Sequence, residues 1–239
     1  MPTLDEAFST VCEALADHFG PPPADFEGLA PFEAMIAVLL DRELGGARWS
    51  AALDGLDESG LLTPDRLARA DIPEISDALR EKGVTAPAQT AALLKHLARW
   101  LVDHHGGAVD SLFDPHRSTD WLRGELAAQS GIGVKGADAL LLFALKQPSY
   151  PVDRATFRVL VRHAWLDRTE SYEEARDLLV DHAVDRAEQR DEDPANLLKN
   201  LALGMEQLGR RFCRAAAPVC DGCPLESLLP EGGPREVDA

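Results

Sequence analysis

Apolar residues recur along this chain at helical spacing, broken by short polar turns, and no segment carries the alternation of a strand. Leu4, Phe8, Val11, Cys12, Leu15 and Phe19 form one stripe, which predicts a first helix stopped by Gly20-Pro21-Pro22-Pro23. A strongly apolar helix is predicted from Phe32 to Leu44, ended by Gly45-Gly46. Thr63-Pro64 reads as a cap with proline in the first helical turn. Further helices are predicted over Ile72 to Lys82 and from about Pro87 to His104, the latter with Leu93, Leu94, Leu97 and Leu101 on its core face. Ser118-Thr119-Asp120 caps a short helix, and an apolar helix then runs from Lys135 to Leu145. Another runs from Asp153 to Trp165, with Phe157, Leu160, Val161 and Ala164 on one side. The capping box Ser171-Tyr172-Glu173-Glu174 and the pair Asp193-Pro194 open the last two helices. The prediction is an all-α protein, with the proline run near the N-terminus as its clearest boundary signal.

Composition narrows the class. At 239 residues the chain is long enough for one large domain or two small ones with a real core. No apolar run approaches the roughly 20 residues that span a bilayer. The N-terminus lacks the basic and apolar regions of a signal peptide, so a cytoplasmic protein without a membrane partner is expected. The formal charge of −17 argues against a generic polyanion binder, but its distribution is uneven. Residues 131–168 carry six basic and three acidic side chains, and residues 194–214 carry four and one. Residues 169–193 carry ten acids against three arginines, the pattern of a solvated helix face. The acidity is therefore concentrated away from the candidate chemistry. It also suits a salty cytoplasm, where activity would survive or need high salt.

The chemistry centres on Gly131-Ile132-Gly133-Val134-Lys135-Gly136 and on Pro151-Val152-Asp153. Two short helices joined by Gly-x-Gly make a helix-hairpin-helix. Glycine allows the positive φ angles of the turn, and the amides beyond it favour a phosphate. Lysine is rare here, with five in the chain (Lys82, Lys95, Lys135, Lys146 and Lys199). Taken singly, each feature has an ordinary reading: a helix connection, a surface lysine, an N-cap aspartate.

Taken together, Gly131-Ile132-Gly133-Val134-Lys135, the apolar helix after it and Pro151-Val152-Asp153 resemble the helix-hairpin-helix DNA glycosylases of the endonuclease III superfamily. Phe157 and Arg158 suit the pattern after the aspartate. Pro31 to Leu40 looks like the family's first barrel helix, and the similarity extends over most of residues 4–226. The resemblance implies a two-lobed helix-hairpin-helix DNA glycosylase fold with duplex DNA bound across a groove. Residues 28–150 would form the six-helix lobe, residues 1–27 plus 151–226 the second lobe, and residues 227–239 a disordered tail. It implies a monomer that excises damaged bases, with oxidised pyrimidine as the default, and nicks the strand as an AP lyase. Lys135 would be the nucleophile, kept partly neutral by burial and its helix N-terminus, and Asp153 the acid/base and electrostatic partner. Gly131, Ile132, Gly133, Val134, Gly136 and Arg158 would bind DNA.

Cys213, Cys220 and Cys223 match three ligands of the family's [4Fe–4S] loop, but Leu229 stands where the fourth is expected. Three readings remain: a lost cluster, a cluster with a non-cysteine fourth ligand, or a fourth ligand from Cys12, which otherwise reads as a small buried hydrophobe. A redox-sensing metal protein is a weaker option. Other departures concern DNA. Asp41-Arg42-Glu43-Leu44 replaces the family's gap-filling glutamine region, and Glu43 is a poor neighbour for phosphates. Val84-Thr85-Ala86-Pro87 and Gln129-Ser130 also differ from the family. These changes, with the negative charge, leave a second expectation: a glycosylase-fold module that binds DNA or protein without turnover.

Overall fold

The computed structural model describes residues 2–20, 26–113 and 116–237. The proline run Pro21-Pro22-Pro23 expected as a boundary lies outside the described residues. Those described are helical, with no strand among them. Two compact units form, one of residues 26–147 and one of residues 1–25 with 148–239.

The 26–147 unit contains α2 (Pro31–Leu44), α3 (Arg48–Glu58), α4 (Pro64–Arg69), α5 (Ile72–Glu81), α6 (Ala88–His105), α7 (Thr119–Ala127) and α8 (Gly133–Ala139). Side-chain caps start several of them: Thr63 accepts from the amide of Arg66, Asp71 from Glu74 and Ser118 from Trp121. Each satisfies a first-turn amide that the helix itself leaves unpaired. α2 is apolar nearly all round because it is central: Met35, Ile36, Ala37, Leu39 and Leu40 are wholly buried. α3 packs on α2 and α5, α4 on α6, and α7 on α8. The helix predicted from Lys135 to Leu145 is α-helical only to Ala139. It then widens into a single π turn, Leu140–Ala144, closed by the amide of Leu145 on the Leu140 carbonyl (2.9 Å). That turn packs its leucines against α2.

The other unit contains α1 (Leu4–Phe19), α9 (Arg154–Arg162), α10 (Tyr172–Arg190) and α11 (Pro194–Arg211). The Ser171/Glu174 capping box opens α10 as the sequence predicts, and a second box, Thr3/Glu6, opens α1. α11 is the hub, with α1, α9 and α10 all packed on it. The stripe Leu4, Phe8, Val11 and Leu15 is buried, as are Leu201, Met205 and Leu208. Beyond Pro230 the chain makes a turn, and the amide of Arg235 donates to the carbonyl of Arg162 at 3.0 Å. No helix among the described residues is long and apolar enough to cross a membrane.

Candidate active site

In the 26–147 unit, the turn between α7 and α8 depends on two glycines with left-handed backbones, Gly131 (φ 83°) and Gly133 (φ 64°). Ile132 between them is buried and anchors the turn in the core. Val134 and Lys135 follow in the first turn of α8 and point to solvent; Val134 is one of the few exposed large apolar side chains. Lys135 is exposed, which corrects the expectation that burial would help keep its amine neutral. Its Nζ has no hydrogen bond or ion pair among the described residues, so the amine is accessible to a substrate.

Asp138, one turn after Lys135, is fully buried and holds the guanidinium of Arg123 on α7 through two bonds, from Nε (2.7 Å) and Nη2 (2.9 Å). This charge-assisted fork ties the two hairpin helices together. A second arginine holds the turn itself. Arg42, near the end of α2, donates from Nη1 to the carbonyl of Ile132 (3.0 Å) and from Nη2 to that of Gly131 (2.7 Å). Glu43 accepts from Arg42 Nε (3.1 Å) and Nη2 (2.9 Å). Gly136 is buried beneath this guanidinium, and a Cβ there would collide with Nη1. The sequence reading attached no role to Arg42, Arg123 or Asp138. The one available signal was an isolated aspartate within a run of small and apolar residues. Glu43, expected to confront phosphates, is instead engaged with Arg42.

In the other unit, Asp153 is the N-cap of α9, its Oδ1 accepting from the amide of Thr156 at 2.6 Å. Among the described residues Oδ2 has no partner. Behind the cap, the Thr156 hydroxyl pairs with the buried phenol of Tyr150 (3.1 Å). Burial drives that phenol far above its ordinary range, so it stays neutral. Arg158, one turn further on, gives all its bonds to carbonyls of its own unit: Cys213 (3.1 and 3.3 Å) and Arg154 (3.1 Å).

The loop after α11 carries the three cysteines. Cys213 is buried, and its Sγ lies 3.3 Å from Nη1 of Arg162. The same buried guanidinium donates to the carbonyls of Arg214 (2.6 Å) and Ala215 (3.1 Å). His163 sits between the carbonyls of Val159 (2.9 Å from Nδ1) and Leu225 (3.3 Å from Nε2), and its neutral ring donates to one of them. The cavity lined by Cys213, Cys220, Cys223 and Leu229 holds about 10 Å³, room for about one water. Burial raises the thiols of Cys220 and Cys223. Among the described residues no group of three or more His, Cys, Asp or Glu side chains could hold a metal ion. Cys12 lines a different cavity, of about 600 Å³ between α1 and α11, and burial pushes its thiol up to about 11. The expected ligand set Cys213, Cys220 and Cys223 therefore does not fit a [4Fe–4S] cluster: the fourth position is apolar, the space is filled and Cys12 is elsewhere.

Comparison with known proteins agrees with the all-helical fold. No family model matches the chain. It is 26% identical over 205 residues to endonuclease III of Thermotoga maritima, covering 86% of this chain and 85% of that protein. It is 29% identical over 197 residues to endonuclease III of Sulfolobus acidocaldarius, covering 81% and 79%. Among solved structures, a trapped covalent intermediate of endonuclease III with DNA superposes with a TM-score of 0.69 at 24% identity, covering 97% of this chain and 98% of that one. The glycine turn, the lysine that follows it and the aspartate-capped helix thus occur in a chain that is similar over most of its length to proteins named endonuclease III, and its fold is that of the helix-hairpin-helix DNA glycosylases.

Proposed function

We propose that this protein is a base-excision repair glycosylase with AP lyase activity, acting on damaged bases in duplex DNA. The observation that carries the reading is Lys135: an exposed amine without a partner among the described residues, in the first turn after a glycine hairpin that two arginines hold in place. The relatives named endonuclease III support the glycosylase part, and the lyase part rests on Lys135 itself.

In the reaction, the target nucleotide is flipped out of the stack. The neutral amine of Lys135 bonds to C1′ of the sugar as the bond from C1′ to the base breaks, and the base leaves with the electron pair and takes up a proton. Positive charge develops on the sugar, and a carboxylate stabilises it. Asp153 suits that role because its cap uses only Oδ1, leaving Oδ2 for the charge or for the proton lost by the attacking amine. Opening of the sugar ring then gives an iminium. Loss of a C2′ proton expels the 3′ phosphate, and water hydrolyses the imine to restore Lys135. The amides of the hairpin, from Gly133 through Gly136, would receive a backbone phosphate, with Gly131 and Ile132 shaping the turn. Arg158 would keep α9, and with it the Asp153 cap, against the cysteine loop. It would work in the cytoplasm.

The test is a panel of duplexes carrying oxidised, deaminated, mispaired or alkylated bases, assayed for base release and for strand nicking. The expected outcome is release and nicking together on at least one lesion, oxidised pyrimidine first. Release without nicking would remove the lyase role of Lys135, and silence on every lesion would remove the glycosylase reading.

A further inference from the structure

We infer that Arg42, oriented by Glu43, is a positioning residue for the hairpin that carries Lys135. This deepens the proposed function and rests on it. Four observations converge. The Arg42 guanidinium spans about 90 positions of sequence to reach two consecutive carbonyls of the turn, Gly131 and Ile132. The bonds come from different nitrogens of one planar fork, a geometry lysine cannot reproduce. Glu43 fixes the opposite edge of the fork, so the guanidinium is not free to swing into solvent. Gly136, the residue after Lys135, leaves the space in which the fork sits.

A surface ion pair alone would be of small consequence, because exposed pairs contribute little. The Arg42–Glu43 pair is partly buried, and its purpose lies in what it holds. Turn carbonyls left bare would face solvent with their negative ends beside the amides of α8. The guanidinium covers them and stiffens the turn. Lys135 begins the helix that leaves the turn, so a loosened turn displaces its amine. Catalysis is sensitive to such displacement: a misplacement of about 1 Å can cost roughly a hundredfold in rate. The acidic residue that looked unsuited to a DNA-facing surface is thereby accounted for, since it supports the arginine.

The experiment compares Arg42→Lys, Arg42→Met, Glu43→Gln and Gly136→Ala with wild type. Borohydride trapping is measured on duplex containing an abasic site, in single turnover at saturating enzyme, alongside duplex affinity by fluorescence anisotropy. Arg42→Lys keeps the charge and loses the fork. It is expected to bind within about threefold of wild type, since a point charge still serves the phosphates, yet to trap roughly ten- to a hundredfold more slowly. Arg42→Met and Gly136→Ala should slow trapping similarly, and Glu43→Gln by less. Hydrogen exchange of the hairpin amides in the protein without DNA should quicken in Arg42→Met. Wild-type trapping by Arg42→Lys at saturation would reduce Arg42 to a charge and overturn the inference, as would unchanged exchange in Arg42→Met. If wild type itself does not trap, the Lys135 reading fails, while the exchange measurement still decides whether Arg42 holds the turn.

Discussion

The buried pair Arg123–Asp138 offers the sharpest test of how the hairpin is held. Asp138 has no exposed side-chain surface and Arg123 is 14% exposed, with both carboxylate oxygens engaged by one guanidinium. Replacing Arg123 with methionine keeps much of the stem and removes the fork, which leaves a carboxylate buried without its main partner. Breaking a buried pair from one side costs about 3–5 kcal/mol. For a chain of this size that lowers the melting temperature by roughly 6–20 °C. Removing both charges is different: Arg123→Met with Asp138→Leu replaces the pair with apolar groups of similar bulk, and such replacements are often neutral or stabilising by about 1–4 kcal/mol. The double variant is therefore expected to recover most of the loss. Thermal unfolding followed by circular dichroism, with urea unfolding at 25 °C as a second scale, measures both. A loss under about 1 kcal/mol in the single variant would refute the reasoning, because it would make the pair an exposed-type bridge. A double variant no more stable than Arg123→Met would refute it too.

Three further predictions concern the other unit. Asp153→Asn keeps an N-cap acceptor and should unfold like wild type, whereas Asp153→Ala should lose about 1 kcal/mol; both should abolish base release, and a fully active Asn variant would reduce Asp153 to its cap. Burial holds the His163 imidazole below its ordinary value of 6.5, so the folded protein resists a proton that the unfolded chain accepts. Its stabilising effect is complete above pH 6.5 and is lost as pH falls below that value, so the urea midpoint should drop between neutral and mildly acidic pH less steeply in His163→Asn than in wild type; parallel slopes would contradict this. Anaerobic reconstitution with iron and sulfide should leave the protein colourless with less than one iron per chain, and serine at Cys213, Cys220 and Cys223 should leave it folded; four irons per chain would overturn the poor fit of the cysteine loop.

Much of this architecture is legible in the sequence because helices announce themselves by stripes and caps. Thr63, Ser118, Asp153, Ser171 and Asp193 all cap where the sequence places them. α3 is not anticipated: its N-terminus lacks a side-chain cap, and Gly55 within it is a poor helix former. That glycine is a packing feature, since a Cβ there would run into the Ala78 carbonyl of α5. The π turn at Leu140–Ala144 is likewise invisible, because its apolar run suits an α-helix equally well. The candidate chemistry is legible for a different reason. Lys135 and Asp153 sit in short contiguous motifs, whereas the groups that hold the hairpin come from distant positions. Arg42 meets Ile132 across 90 residues, and Arg123 meets Asp138 across 15, so neither contact is local enough for periodicity or spacing to register. Glu43 shows the corresponding hazard. Its charge suggests conflict with phosphates, and its partner turns that charge to another use.

Borohydride trapping on a duplex with a single abasic site tests the central claim most directly, comparing wild type with Lys135→Gln. The account predicts a covalent protein–DNA product with wild type and none with the variant, while both bind the duplex. Undiminished trapping by Lys135→Gln would show that another amine performs the chemistry and would contradict the account.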